Sequence, residues 1–271
     1  MPASRSPRPD IKLKRRPRRW PLILLGVIAL AAALAAALVF MSPASVISHF
    51  LPAQVHAEDF SGSLVHGAAG RLAVNARDAG AIEWHLHPLS LLRMAPVVDI
   101  HWVKVGFVID GTVEFAGRAV AGHDIQGGGP IEDLHDLGLA DGWRGSANLT
   151  IAEFKSDFRK IDSAVGKLEV SNLSGAQIAD GAGLGSYVLQ LAPGAIAPDG
   201  TITANLNDSG GPLEAQAQIR YLPATRTGML SGTLKERPEA SPALRNQLST
   251  LSQLRPRDAA GRFPVELEFT F

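Results

Sequence analysis

The first long apolar segment of the chain, Trp20–Met41, has the length and composition of a membrane-spanning helix. Its last 21 residues include no charged side chain. At about 1.5 Å per residue such a helix spans about 30 Å, the thickness of the hydrocarbon core of a bilayer. Eight bases and one acid, Asp10, precede it. An excess of Lys and Arg favours the cytoplasmic side. We therefore predict a basic cytoplasmic tail at 1–19, a transmembrane helix at 20–41 and an external β-rich domain at 42–271.

A cleaved signal peptide and a buried helix of a soluble protein are the alternatives for this segment. The apolar core of a signal peptide usually has about 7–15 residues, fewer than Pro21–Met41. The following Ser42–Ser45 resembles a small-residue cleavage site only weakly. A retained anchor is the favoured interpretation.

Beyond Pro52 the pattern changes to short runs in which apolar and polar residues alternate. Such alternation is typical of strands with one apolar face and one solvent-facing side. Asp110-Gly111, Asp141-Gly142 and Asp199-Gly200 indicate turns, and the absence of a strand–helix–strand rhythm disfavours a parallel sheet. The predicted antiparallel strands include 71–76, 81–86, 98–105, 112–115, 145–150, 167–170, 200–206, 213–219 and 262–271.

Two helices are predicted outside the anchor. Ser42-Pro43 favours a short helix through Phe50. Later in the chain, Ser241 is suited to be the N-cap of an amphipathic helix that carries leucines at helical spacing and ends before Pro256. These leucines are Leu244, Leu248 and Leu251.

The predicted fold class is therefore mainly β. A single N-terminal transmembrane helix is followed by an antiparallel curved β-sheet, a trough or a partly closed barrel, with one late amphipathic helix. The Gly-rich segment Gly127–Pro130 is the best candidate for a hinge between two portions of the sheet.

The charge of the chain is unevenly distributed although its net value is zero. Beyond Met41 the chain keeps 18 of its 26 bases and 25 of its 26 acids, a net charge of −7. An acidic external domain is a poor candidate for binding nucleic acid, whereas the basic tail suits the anionic lipids of the inner leaflet. The chain contains no cysteine, which excludes disulfides, thiolate catalysis and cysteine metal sites.

Several histidines of the chain are candidate metal ligands by residue type. His85 and His87 are two residues apart on a predicted strand and should share a face, but a zinc site needs three or four ligands. The spacings of His101, His123 and His135 match no familiar metal site. We predict no metal site.

The remaining candidate motifs lack the residues that their chemistry needs. Adjacent acids such as Glu132-Asp133 point apart on a strand. Gly183–Tyr187 lacks the residues of a nucleophile elbow, and Gly127–Pro130 is not followed by the lysine and helix of a phosphate-binding loop. We predict no catalytic residue and no cofactor.

Several groups of residues, in their order along the chain, resemble protein N of the bacterial type II secretion system (general secretion pathway). That family has a Gly-Thr-Leu-Trp-x-Gly-like element, matched here by Gly62–Gly67, and a Trp-x-x-x-Pro-x-x-Leu-Leu-like element, matched by Trp84–Leu92. Ser63 and Val65 replace the Thr and Trp of the first element, so that strand is expected to pack differently. The motif residues, including those of the C-terminal half, are Gly62, Leu64, Gly67, Trp84, Pro88, Leu91, Leu92, Gly185, Tyr187, Gly232, Gly261 and Arg262.

The resemblance implies a single-pass bacterial inner-membrane protein with a periplasmic C-terminal domain. Its implied partners are other type II secretion components (inner-membrane platform proteins or the secretin) and the inner membrane bilayer. No cofactor, catalytic residue or nucleic acid is implied. The motif residues are expected to be structural, and the leucines that follow Pro88 are expected to cover the open edge of the apolar sheet face.

We therefore predict an accessory component of the type II secretion system with a structural or interaction role in exporting folded proteins. One alternative is an AsmA-like, membrane-anchored β-trough that handles lipid in the periplasm. A second alternative is a periplasmic enzyme that depends on His85.

Overall fold

The computed structural model describes residues 40–51, 54–117, 119–137, 142–157, 160–176, 178, 181–254 and 256–270. The predicted basic tail lies outside these ranges, as does the predicted transmembrane helix except for Phe40 and Met41. Within the described ranges no helix combines the length and apolar character needed to span a bilayer. Residues 42–271 belong to one compact unit.

The fold is mainly β, as predicted. The helical elements of the described residues from 42 to 270 are the 3₁₀ helices η1 (Ala44–Phe50), η2 (Pro88–Arg93) and η3 (Ile131–Leu137) and the α-helix α1 (Pro242–Leu254). The strands are β1 (Val55–Gly62), β2 (His66–Val74), β3 (Arg77–Leu86), β4 (Val97–Lys104), β5 (Phe107–Ala116), β6 (Ala119–Pro130), β7 (Trp143–Ser156), β8 (Ile161–Gly175), β9 (Gly183–Leu191), β10 (Ile202–Gly210), β11 (Leu213–Leu222), β12 (Thr227–Glu236) and β13 (Phe263–Thr270).

All thirteen strands form one antiparallel sheet in which each strand pairs with its neighbours in the sequence. Tight turns join several of these pairs, such as the turn between β1 and β2, and antiparallel strands can be joined by such short connections. Longer connections hold η2, η3 and α1. The outermost strands β1 and β13 do not pair with each other, so the sheet is open. The single antiparallel sheet is confirmed and is not a closed barrel, and its curvature into a trough or a partly closed barrel stays a prediction.

Alternation gives the sheet two different faces. On one face an apolar row crosses twelve strands through directly paired residues, from Ala69 on β2 to Val265 on β13. The residues next to it in sequence form a polar row on the opposite face. This polar row is Glu83, His101, Asp110, Gln126, Thr150, Lys167, Gln190, Asn205, Gln218, Ser231 and Glu266.

Antiparallel pairing places every second connection at the same end of the sheet. We call one end the proximal end: it holds the turn Ser63–Val65, η2 and the turn Pro223–Arg226. The other is the distal end, which holds η3 and α1. Ser42 lies at the proximal end, because its carbonyl accepts a hydrogen bond of 2.9 Å from the Leu64 backbone N–H.

The buried core sits at the distal end. Helix α1 contributes Leu244 and Leu248 to a cluster with the first residues of three strands, among them Leu213 and Phe263. A second cluster joins Ile131 of η3 to β5 and β7. The predicted N-cap is confirmed: the Ser241 hydroxyl accepts the Leu244 backbone N–H at 3.1 Å.

Two turn and hinge predictions are wrong. Asp110-Gly111 lies inside β5, opposite an irregularity in β6 at which Asp124 adopts a φ of 50°. Gly127–Pro130 is no hinge but the end of β6: all four residues pair with β7, and Gly127 and Gly128 also pair with β5. A Cβ on Gly127 would lie 2.5 Å from the Ile109 side chain, so glycine here permits close packing between strands. The turn at Asp199-Gly200 is confirmed.

Candidate functional site

Trp84 joins the two N-terminal motif elements, which are distant in sequence. Its indole Nε1 donates a hydrogen bond of 3.1 Å to the carbonyl of Leu64. A Cβ on Gly67 would lie 2.6 Å from the Trp84 ring, so glycine here lets the ring approach β2 closely. Val65, which departs from the family pattern, is buried in the turn beside them. The arrangement holds the proximal end of β1, β2 and β3 together.

Helix η2 completes the second element, and its geometry contradicts the expectation that its leucines cover the sheet. Pro88 starts the helix, as expected. Yet Leu92 is 82% exposed and Leu89 77% exposed, and no residue of η2 is buried. The cause is local. The Ser90 hydroxyl donates to His87 O at 2.6 Å and accepts the Val97 N–H at 2.8 Å, which fixes η2 across the ends of β3 and β4.

We call the three most exposed apolar residues of this connection the η2 patch: Leu89, Leu92 and Met94. Met94 is 88% exposed and ends η2 in the left-handed conformation, with a φ of 54°. Exposed apolar residues that occur singly need no explanation, but several on one short, fixed element indicate an interaction surface. The sequence pattern of leucines after a proline predicts buried residues, so it does not predict this exposed surface.

The C-terminal motif residues form a second fixed region at the distal end. The buried Tyr187 hydroxyl can donate to two backbone carbonyl oxygens: that of Leu184 at 2.8 Å and that of Leu213 at 3.3 Å. Burial raises the pKa of Tyr187 to about 12. Gly185 has a φ of 118°, and a Cβ there would lie 2.6 Å from the Gly210 carbonyl oxygen. Both residues therefore fix the approach of β9 to its neighbours.

The remaining motif residues also make local contacts. A Cβ on Gly232 would lie 2.3 Å from the Gln216 carbonyl oxygen. Arg262 donates its backbone N–H at 2.8 Å and its Nε at 3.1 Å to the Asp258 carboxylate, across the turn that contains Gly261. These hydrogen bonds lower the pKa of Asp258. We propose that the motif residues outside η2 have structural roles.

Histidines and carboxylates pair across β2 to β5 on the polar face. His66 and His85 lie with their Nδ1 atoms 2.9 Å apart, and the His85 and His87 rings are 5.5 Å apart, so the predicted shared face is confirmed. His101 Nδ1 lies 2.6 Å from Asp110 Oδ1, and this hydrogen bond raises the pKa of His101. Among the described residues, no three His, Asp or Glu side chains are grouped so as to hold a metal ion.

Asp99 carries the other close pair of this region. His87 Nε2 lies 2.7 Å from one carboxylate oxygen, and the Thr112 hydroxyl donates to the other at 2.8 Å. Partial burial acts to raise the pKa of Asp99, but these hydrogen bonds and the nearby histidines outweigh it, so the pKa is lowered. Asp99 and Thr112 line a depression on the polar face that is open to solvent.

The sheet has two outermost strands, and they differ in what lies beside them. Helix η1 contacts β1, and an isolated bridge pairs Pro43 with Ser63 next to it. Within the described residues, no strand pairs with the outer side of β13. The outer strands of a sheet are natural sites for a partner to add a strand. β13 is therefore the better candidate for docking.

Comparison with known proteins confirms the family resemblance. The family model described as Type II secretion system (T2SS), protein N, matches residues 53–266. A relative from Aeromonas hydrophila, Type II secretion system protein N, is 26% identical over 254 residues, which cover 91% of this chain and 97% of the relative. No solved structure matches the chain. The matches do not favour the lipid-handling alternative.

Proposed function

Since the chain belongs to the type II secretion system protein N family, we propose that it is an accessory inner-membrane component of that system. In this proposal residues 1–19 are cytoplasmic, 20–41 cross the membrane and 42–271 form a periplasmic domain with a structural role. The observation that carries the proposal is the family match, which spans nearly all of the proposed periplasmic domain. The basic tail and the uncharged apolar segment support the topology.

The open sheet supports an interaction role rather than a catalytic one. Its motif residues make hydrogen bonds that fix strands and turns, as Trp84 does to Leu64 and Tyr187 to Leu184. The proposed partners are other components of the secretion system, inner-membrane platform proteins or the secretin. A partner strand added at β13 would find apolar side chains on one face and Glu266 and Glu268 on the other. Alternating apolar and basic residues would complement it.

Crosslinking in cells tests this function. A photoreactive residue placed at Glu268 of the full chain should form adducts with secretion-system components. The same residue at the exposed Gln126 serves as the matched control, because Gln126 also faces the polar side but lies in the interior strand β6. Adducts from Glu268 alone support docking at β13. Equal yields of secretion-system adducts at both positions, or none at either, contradict it.

The topology is tested separately by cysteine labelling, since the natural chain has no cysteine. A membrane-impermeant maleimide applied to cells with a permeable outer membrane should label Glu268→Cys and leave Ser4→Cys unlabelled until the inner membrane is disrupted. Labelling of both positions in intact inner membranes would contradict the proposed orientation.

A further inference from the structure

We propose that the η2 patch inserts into the surface of the membrane that residues 20–41 are proposed to cross, so that the sheet stands with its proximal end on the bilayer. The inference rests on the proposed function, because it needs an anchored chain. It names the membrane surface as the partner of η2.

The first step is that the patch is both apolar and fixed. Leu89, Leu92 and Met94 project from the end of the sheet, and the Ser90 hydroxyl ties the connection to both flanking strands. A fixed loop loses little conformational entropy when it binds. Burying leucine and methionine side chains in an apolar environment is favourable, so the three side chains together favour insertion beside an existing anchor.

The second step is the position of the patch relative to the start of the domain. Ser42 O accepts the Leu64 N–H, and the next residue of the same turn, Val65, accepts the Leu86 N–H at 2.7 Å. η2 begins two residues later. Two or three strand spacings of about 4.8 Å therefore separate Ser42 from η2, on the order of 10–15 Å. Ser42 follows the predicted anchor directly in the sequence. If that anchor crosses the bilayer, this short distance therefore limits how far the patch can be from the membrane surface.

The third step is charge. The domain is acidic overall, yet exposed bases occur at the described tips of the proximal end: Arg93 on η2, Lys160 between β7 and β8, and Arg226 between β11 and β12. Lys160 forms an ion pair with Asp162 at 2.8 Å. Asp162 and Asp199 are exposed acids at the same end, and the exposed Glu268 is close to it on β13. Arg93 is next to Leu92, so a base accompanies the apolar side chains. Anionic headgroups attract bases that lie near a membrane surface.

A protein partner on η2 is the competing occupant. The membrane is favoured because the chain itself connects the patch to the predicted anchor, so contact with lipid needs no further component. The two are distinguished by measuring contact with lipid directly, in the absence of other proteins.

The test uses the full chain reconstituted in nanodiscs of phosphatidylcholine and phosphatidylglycerol. A single environment-sensitive fluorophore is attached to Leu92→Cys, and its quenching by brominated acyl chains is measured. The matched control is Val105→Cys: Val105 is 78% exposed and apolar, but lies in the turn between β4 and β5 at the distal end. We expect at least twofold stronger quenching and a blue-shifted emission for the label at position 92.

A third variant separates the two proposals. A label on Gly26→Cys reports whether the predicted anchor is in lipid. Quenching at position 26 with equal, weak quenching at positions 92 and 105 overturns the inference and leaves the anchor intact. An unquenched label at position 26 overturns the proposed topology and the inference with it. If position 92 is quenched, Leu89→Asp should reduce that quenching, because the charge opposes insertion of the same patch.

Discussion

Removing the side chain of Leu244 tests whether α1 holds the distal end of the sheet together. Leu244 is only 2% exposed, and it belongs to the cluster that joins α1 to the first residues of β9, β11 and β13. The helix is part of the chain segment that connects β12 to β13. Its docking therefore also fixes the last strand of the sheet. Leu244→Ala leaves the helix backbone and its Ser241 cap in place and removes only the packing.

The magnitude follows from the burial of this side chain. Three carbons leave a dry environment, and at about 0.8 kcal/mol for each buried carbon the transfer contribution is about 2.4 kcal/mol. The cavity left behind adds to this, so the expected loss of unfolding free energy is about 3 kcal/mol. For a domain of this size each kcal/mol lowers Tm by about 2–4 °C. We therefore expect Tm to fall by about 6–12 °C.

The assay is thermal unfolding of the full chain in detergent, followed by the circular dichroism of the sheet. Asn246→Ala is the matched control, because Asn246 is exposed on the same helix and alanine has the higher helix propensity. Its Tm should stay within about 2 °C of the natural protein. A comparably small change for Leu244→Ala would refute the packing of α1 described above.

Two further predictions concern Gly185 and His101. Gly185→Ala should cost about 2–4 kcal/mol in unfolding free energy, because the residue has positive φ and its Cβ would meet the Gly210 carbonyl; Gly183→Ala, where nothing lies within 4 Å, is the control, and equal Tm values for the two variants would contradict the close approach. Asp110→Asn should lower the raised pKa of His101, measured by NMR titration, and an unchanged pKa would show that Asp110 is not its cause. Because the folded pKa is raised, this pair stabilises the fold below the unfolded value of about 6.5 and stops doing so as the pH rises through the folded value.

The strands were predictable because alternation is a local signal. Strand β13 has the apolar residues Phe263, Val265 and Leu267 at every second position. Each of them predicts the same apolar face, so the strand can be recognised without its neighbour. Glycine hides this signal. Gly127, Gly128 and Gly129 read as a hinge because glycine usually interrupts strands, whereas here its missing side chain lets β5 and β7 approach β6.

The candidate surfaces were less predictable because they depend on pairing between distant residues. The shared face of His85 and His87 follows from their spacing, but the contact of His85 with His66 requires the register of β2 against β3. Likewise, leucine is usually a buried residue, so the sequence alone predicts that Leu89 and Leu92 are in the core. Only the path of the chain after Leu86, fixed by the Ser90 hydroxyl, leaves them exposed.

The two proposed contacts occupy different parts of the sheet, and together they restrict where a partner can dock. β13 ends at Thr270, at the proximal end, and its eight residues extend about 27 Å at about 3.4 Å per residue. If the η2 patch sets the proximal end on the bilayer, the outer side of β13 begins close to the membrane surface and extends about 27 Å into the periplasm. A partner anchored in the same membrane could then place a strand along β13 after only a short linker. Substitutions in η2 that detach the proximal end from lipid should therefore lower crosslinking at Glu268 to such a partner, while substitutions at Glu268 should leave the lipid contact of position 92 unchanged.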